Sequence, residues 1–131
     1  MSETTARRVG RWLLIGFYGL AGIGHLYFTQ AMVRIVPGWV PQPRLVVLAT
    51  GICELIGAVA LTTHRFRRLA GWALAAYALC VWPANVQHAM QDLSHGTGLP
   101  LWYHAPRLAL QPLILWWALW ASGAVRVRSA R

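Results

Sequence analysis

The chain has 131 residues, of which 57% are hydrophobic and only 11% are charged. The length suits a single domain, and the composition is too apolar for an ordinary soluble protein and is typical of the membrane class. The net charge of +9 comes from twelve arginines against three acids. Because the arginines lie at the ends of apolar runs, they favour contact with lipid headgroups, and we predict no nucleic-acid binding.

Four apolar runs predict an all-α fold, a bundle of four transmembrane helices. The helices are expected at about residues 12–29, 45–62, 69–90 and 108–125. The flanking residues 1–11 and 126–131 are predicted to be basic tails. The first run is longer than the core of a typical signal peptide, and three more runs follow, so we interpret it as a retained helix. The short turn at 63–68 makes the second and third helices an antiparallel hairpin.

The arginines also predict an orientation in the membrane. Four spans place the segments 1–11, 63–68 and 126–131 on one side, and each of these segments holds three arginines. The other side holds only Arg34, Arg44 and Arg107. Since the more basic loops remain in the cytoplasm, we predict a multi-pass protein of the inner (plasma) membrane with both termini cytoplasmic.

The connection between the first two helices, from Gln30 to Arg44, is apolar but contains three prolines. Prolines at this density break a helix. We therefore expect this segment to lie in the membrane interface or to dip back into the bundle as a partial lid.

Glu54 lies at the middle of the second run, where an ionised side chain is costly and indicates a functional site by default. The predicted topology gathers six polar side chains from all four helices in the outer half of the bundle, which favours an inward-facing cluster. We assign two of them as candidate catalytic residues, Glu54 and His25. The other four are candidate ligand-binding residues: Asn85, His88, Arg107 and Gln111. The charge partner of Glu54 stays open between His25 and Arg107.

The same residues also admit a purely structural interpretation. Interhelical hydrogen bonds from His, Asn and Gln can hold a membrane bundle together without a ligand, and Arg107 can extend to the outer headgroups. No HxxxH or CxxC spacing supports a metal site, and we assign none. Cys53 and Cys80 are expected to be small buried hydrophobes.

Five segments, taken together and in order, resemble the DoxX-like family of small four-helix membrane proteins. They are AGIGHL at 21–26, IVPGWVPQP at 35–43, GICELIGAVAL at 51–61, WPANVQHAM at 82–90 and RLALQPLILWWAL at 107–119. The resemblance implies a four-helix membrane bundle with polar residues at His25, Glu54, Asn85 and Arg107. The resemblance implies the fold more closely than the function, because some bacterial relatives are linked to membrane redox complexes, whereas animal relatives act as receptor-assembly chaperones.

The function predicted from these observations is an accessory component of a quinone-linked or other membrane redox system. Its outer-half pocket would hold a small apolar ligand such as a quinone, whose two carbonyls need donors within an apolar site. The expected partners are the lipid bilayer, membrane redox proteins or a second copy of the chain. The alternative is a non-catalytic assembly factor or chaperone that docks other transmembrane helices on its small-residue faces, where Gly16, Gly19, Gly22 or Gly57 matter more than Glu54. Whether the protein is an enzyme stays open.

Overall fold

The computed structural model describes residues 3–96 and 98–125, and over these residues it contains five helices and no strand. They are α1 (Thr5–Tyr27), α2 (Thr29–Val33), α3 (Pro43–Thr62), α4 (Arg67–His95) and α5 (Leu101–Ala121). The predicted all-α class is confirmed. Two helices, α3 and α4, are long and apolar enough to cross a membrane. The predicted C-terminal tail, 126–131, lies outside the described residues.

The four long helices pack as a ring in chain order. α1 packs against α3, α3 against α4, α4 against α5, and α5 returns to α1. Only residues 63–66 separate α3 from α4, so these two helices form an antiparallel hairpin. We call the end of the bundle that holds this turn, the start of α1 and the end of α5 the hairpin end. The opposite end, with residues 28–42 and the connection from α4 to α5, is the lid end.

α1 begins at Thr5 rather than at residue 12, so most of the predicted N-terminal tail is helical. The Thr4 hydroxyl caps the helix by accepting a hydrogen bond from the backbone N–H of Arg7 at 3.3 Å. One turn further on, the indole N–H of Trp117 donates to the Gly10 carbonyl at 2.9 Å. The predicted boundary is therefore corrected, because a cap and a tertiary contact extend the helix into a basic sequence.

Glu3 fastens the start of the chain to the hairpin end. Its carboxylate pairs with both terminal nitrogens of Arg11, and Nη2 donates to Oε2 at 3.0 Å. The same Oε2 lies 3.5 Å from Nη1 of Arg67 at the start of α4. The hydrogen bond from Arg11 holds the pKa of Glu3 below its ordinary value.

α5 begins at Leu101 rather than at residue 108, and α4 continues past residue 90 to His95. Pro106, which precedes the predicted start of the fourth helix at residue 108, lies inside α5. The early start is anchored by the carbonyl of Pro100, which accepts the backbone N–H of Tyr103 at 3.0 Å. It also buries His104 against α4, where the ring is 1% exposed. Tertiary packing therefore overrides the helix-breaking tendency of proline at this site.

The packed core lies at the hairpin end. It is built mainly from alanine and leucine side chains of all four long helices: Leu14, Tyr18, Ala58, Leu61, Ala70, Leu74, Ala75, Ala118, Leu119 and Ala121. α3 and α4 approach so closely at Gly57 that an added Cβ there would lie 2.6 Å from a Leu74 methyl group. The small side chains close the bundle here and leave space at the lid end.

The outward faces of the long helices are apolar. Leu20, Val59 and Leu69, from three different helices, are more than half exposed. Monomeric soluble proteins rarely expose contiguous apolar surface on this scale. The two cysteines, Cys53 and Cys80, are also exposed, so the prediction that they are buried is wrong.

Candidate functional site

A cavity of about 720 Å³ lies in the lid half of the bundle and is lined by residues of all five helices. This volume falls in the range of roughly 300–1,000 Å³ that is typical of small-molecule sites. Its walls are mostly apolar. Five of the six predicted site residues line it, namely His25, Glu54, Asn85, Arg107 and Gln111. The sixth, His88, is not among the lining residues.

The proline-rich connection forms part of the cavity wall. Residues 32–40, which we call the lid segment, place Met32, Ile35, Val36, Pro37 and Val40 along the cavity. Its backbone is irregular beyond the end of α2 at Val33. Apart from Met32 in α2, the apolar side chains that bound the cavity on this side belong to an irregular stretch of backbone.

Glu54 is the most buried acid of the site, with 4% of its surface exposed. Its Oε1 accepts a hydrogen bond from the Tyr77 hydroxyl at 2.8 Å. Its Oε2 lies 2.8 Å from Nδ1 of His25, but the N–H of that nitrogen is aligned with the Ala21 carbonyl, 2.9 Å away. Oε2 thus shares Nδ1 of His25 with the Ala21 carbonyl, and no other donor to Oε2 is found among the described residues.

Two glycines set the distance between His25 and Glu54. A Cβ on Gly22 would lie 2.8 Å from the carbonyl oxygen of Gly51, and a Cβ on Gly51 would lie 3.0 Å from that of Gly22. Any side chain at either position would collide with backbone of the other helix. α1 and α3 run in opposite directions and approach closely where Gly22 meets Gly51. His25 and Glu54 each lie three residues after one of these glycines, so the close approach brings the imidazole into contact with the carboxylate.

The proton on His25 can be placed from its surroundings. Both groups next to Nδ1, the Ala21 carbonyl and the Glu54 carboxylate, are acceptors, so Nδ1 carries a hydrogen. A neutral ring then has its lone pair on Nε2. An imidazole and a carboxylate at this distance can hold an additional proton between them. The pair can accept a hydrogen bond or a proton from a hydroxyl group in the cavity.

Asn85 and Gln111 join α4 to α5. The Asn85 amide donates to Oε1 of Gln111 at 3.2 Å, and the Gln111 amide donates to the Ala78 carbonyl at 2.7 Å. Both ends of the buried Gln111 amide are therefore engaged within the protein. This geometry favours the structural interpretation for Gln111, whereas no hydrogen bond to Oδ1 of Asn85 is found among the described residues.

Arg107 is not bonded to Glu54 in the part of the chain that the structure describes. Its Nη1 donates to Nδ1 of His88 at 3.0 Å, and its guanidinium lies 5.8 Å from the centre of the Tyr103 ring. Of the two charge partners that the sequence leaves open for Glu54, the structure brings only His25 into contact.

Three further residues belong to this region although they are not among the predicted site residues: Tyr77, Asp92 and His104. Tyr77 sits in an apolar run, and nothing in the sequence places its hydroxyl beside an acid of another helix. Asp92 is four residues after His88, a spacing that does predict a shared helix face. His104 lies in a stretch with the composition of a loop.

The fold and the cavity define a helical bundle that presents a buried acid to a ligand-sized, mainly apolar space. The chain belongs to the family described as Domain of unknown function (DUF8561), which matches residues 14–122. No curated protein and no solved structure matches the chain. The resemblance to the DoxX-like family stays a prediction.

Proposed function

We propose that this is an integral membrane protein whose four long helices span the bilayer, with both termini on the cytoplasmic side. The apolar outward faces of these helices support four spans, since lipid would cover surface that water would otherwise contact. The arginine distribution supports the orientation. In this arrangement the lid end and the cavity belong to the outer half of the membrane.

The cavity binds a small lipid-soluble molecule that carries a polar head. A single observation carries this proposal: Oε2 of Glu54 is a buried carboxylate oxygen on the wall of a cavity of about 720 Å³, and Nδ1 of His25, 2.8 Å away, also faces the Ala21 carbonyl. A carboxylate oxygen has more than one lone pair and can accept a further hydrogen bond beside its contact with His25. A hydroxyl group on a bound ligand would donate that hydrogen bond.

A quinol, the reduced form of a quinone, is the ligand class that fits the distribution of polar groups. The Glu54–His25 pair lies on α1 and α3, while Asn85 and Arg107 lie on the opposite half of the ring, on α4 and α5. A ring with a hydroxyl group at each end would donate to the acceptor pair on one side, and on the other side it would meet the Arg107 guanidinium as a donor and Oδ1 of Asn85 as an acceptor. In this role the protein serves a quinone-linked redox system by holding the ligand in the outer half of the membrane.

Ligand binding is tested with the full chain in lipid nanodiscs and a decyl-tailed ubiquinol as probe, followed by quenching of tryptophan fluorescence. Trp39 lines the cavity and reports on its occupation. Glu54→Leu removes a charge-assisted hydrogen bond of about 1.5–3 kcal/mol, which corresponds to roughly 10- to 150-fold weaker binding. Ile52→Ala, on the exposed face of the same helix, is the matched control and is expected to bind as the parent does.

Equal affinity in Glu54→Leu and in Ile52→Ala would overturn the proposed role of Glu54. Orientation is tested separately with single cysteines at Thr4 or Gly38 in a chain that carries Cys53→Ser and Cys80→Ser. An impermeant thiol reagent added outside intact cells should label the cysteine at 38 and not the one at 4. The reverse labelling would contradict the orientation without touching the ligand proposal.

One observation favours a second function, that of a docking protein for other membrane helices. A Cβ on Gly16 or Gly19 would meet nothing within 4 Å, so α1 presents a smooth strip on which another helix could pack closely. Under this alternative, Gly16→Leu would abolish co-purification of a partner in mild detergent. Glu54→Leu would leave that partner bound, and the two functions are thereby separated.

A further inference from the structure

A second polar cluster lies beside the cavity, at the lid end of α4 and α5. His88 and Asp92 are one turn apart on α4, and His104 reaches them from α5. Nε2 of His88 lies 3.1 Å from Oδ2 of Asp92, and Nε2 of His104 lies 3.0 Å from the same oxygen. One ligand atom from each of the three residues can be chosen so that all three lie within 4.8 Å of one another.

These three atoms have the chemistry and the spacing of a metal site. Two imidazole nitrogens and one carboxylate oxygen suit zinc and similar divalent transition metals. Ligand atoms about 2.1 Å from a tetrahedral zinc ion are about 3.4 Å apart. The two separations from Oδ2, 3.0 and 3.1 Å, differ from this value by only a few tenths of an ångström, and the ligand atoms of the two imidazoles lie within 4.8 Å of each other. A small rotation of the rings would open the cluster around an ion.

The protein also provides support and access for such an ion. The backbone N–H of Leu99 donates to Oδ2 of Asp92 at 3.0 Å, which fixes the carboxylate. His104 is almost fully buried, while the side chains of His88 and Asp92 are each 16% exposed and leave an entry path.

Arg107 determines the state of His88. Arginine has only donors, so Nδ1 of His88, 3.0 Å from Nη1 of Arg107, must be the acceptor, and the neutral ring carries its hydrogen on Nε2. A metal bound at Nε2 needs that lone pair, so the hydrogen must move to Nδ1. An Nδ1–H cannot accept from Arg107, and the two interactions exclude each other.

We infer that His88, Asp92 and His104 form a binding site for a zinc-class divalent metal whose occupation releases Arg107 from His88. The fourth coordination position is open to water, as in zinc sites with three protein ligands. Because Arg107 lines the cavity, its release leaves an additional N–H of the guanidinium free to donate to a group in the cavity. The metal site itself is independent of the ligand proposed for the cavity, and its test uses no cavity ligand.

The test is a titration of the purified full chain with Zn²⁺ alone, monitored by competition with a chromophoric chelator. Cys53→Ser and Cys80→Ser are introduced throughout, since both thiols are exposed and bind zinc themselves. One high-affinity zinc per chain is expected. Asp92→Asn and His104→Gln should each weaken it at least about tenfold. His95→Gln, an exposed histidine whose Nδ1 lies 2.8 Å from the Gln91 carbonyl, is the control and should not change the affinity.

Arg107→Met tests the coupling through a gain in zinc affinity, a result that misfolding would not produce. It removes the competitor for His88 and a nearby positive charge, so zinc should bind several-fold more tightly than in the parent. Absence of stoichiometric zinc binding in the parent, or binding that His95→Gln reduces and Asp92→Asn does not, would overturn the site. Unchanged or weaker binding in Arg107→Met would overturn its coupling to Arg107.

Discussion

The contact between Gly22 and Gly51 offers a sharp test of how the site is held. Gly51→Ala would place a Cβ 2.8 Å from the Cβ of His25 and 3.0 Å from the carbonyl oxygen of Gly22. Carbon atoms in optimal contact are about 3.5–4.0 Å apart, so α1 must move outward by roughly 0.5–1 Å. Neither obstacle is the end of a flexible side chain, and the helices themselves have to separate.

The magnitude follows from comparison with an open glycine of α1. Overpacking of this kind costs about 1–3 kcal/mol, while replacing glycine by alanine in a helix returns up to about 1 kcal/mol. Gly16→Ala gains the helix term without overpacking, because nothing lies within 4 Å of its Cβ. The free energy of unfolding of Gly51→Ala should therefore fall below that of Gly16→Ala by about 1–3 kcal/mol.

The assay is unfolding of the full chain in mixed micelles with increasing dodecyl sulfate, followed by far-ultraviolet circular dichroism. The separation of α1 from α3 should also lengthen the contact between His25 and Glu54, now 2.8 Å, and weaken binding of the ubiquinol probe. Equal unfolding free energies for Gly51→Ala and Gly16→Ala would refute the packing argument. A large loss in Gly16→Ala alone would instead favour a partner helix on the outer face of α1.

Three other changes have defined outcomes. Tyr77→Phe removes the aligned donor to Glu54 and should lower the free energy of unfolding by about 1.5–3 kcal/mol. The loss should be much smaller in a chain that already carries Glu54→Leu, and equal losses in the two backgrounds would contradict the coupling of Tyr77 to Glu54. Gln111→Leu leaves two bonded partners unsatisfied and should cost about 1–3 kcal/mol, with faster hydrogen exchange between α4 and α5. Because Arg11 lowers the pKa of Glu3, this link contributes fully above the ordinary carboxyl pKa and is lost as the pH falls through the lowered value. Proteolysis within residues 4–11 should then increase in acid, and Glu3→Gln should show the increased cleavage already at neutral pH.

The lengths of the four apolar runs are sufficient to predict a helical bundle, because the length of an apolar run is a local property of the sequence. Helix ends are less predictable. Residues 5–11 and 101–107 have the composition of a tail and a loop, and they become helical through contacts with distant residues, such as Trp117 with Gly10. Such contacts depend on how the helices meet, which no local pattern of charge or proline encodes.

The candidate site divides in the same way. Glu54 and the other polar site residues could be identified from the sequence, since polar residues are rare in a helix long and apolar enough to cross a membrane. The residues to which they bond could not be predicted. Arg107 bonds to His88 and not to Glu54, and Tyr77 reaches Glu54 because of the rotation of α4 about its own axis. Rotation follows from the packing of all four helices together, which is a property of the assembled bundle.

The placement of the core determines where a ligand can enter and leave the bundle. Side chains such as Leu14, Leu61 and Ala118 are fully buried and close the hairpin end, while the cavity occupies the other half. A ligand of this cavity would therefore enter and leave through the lid half of the bundle. On the proposed function the protein is suited to storing or presenting a molecule in one leaflet rather than to carrying it from one side to the other. The lid segment lines the same cavity as Glu54 and would contribute to the time for which the ligand stays bound.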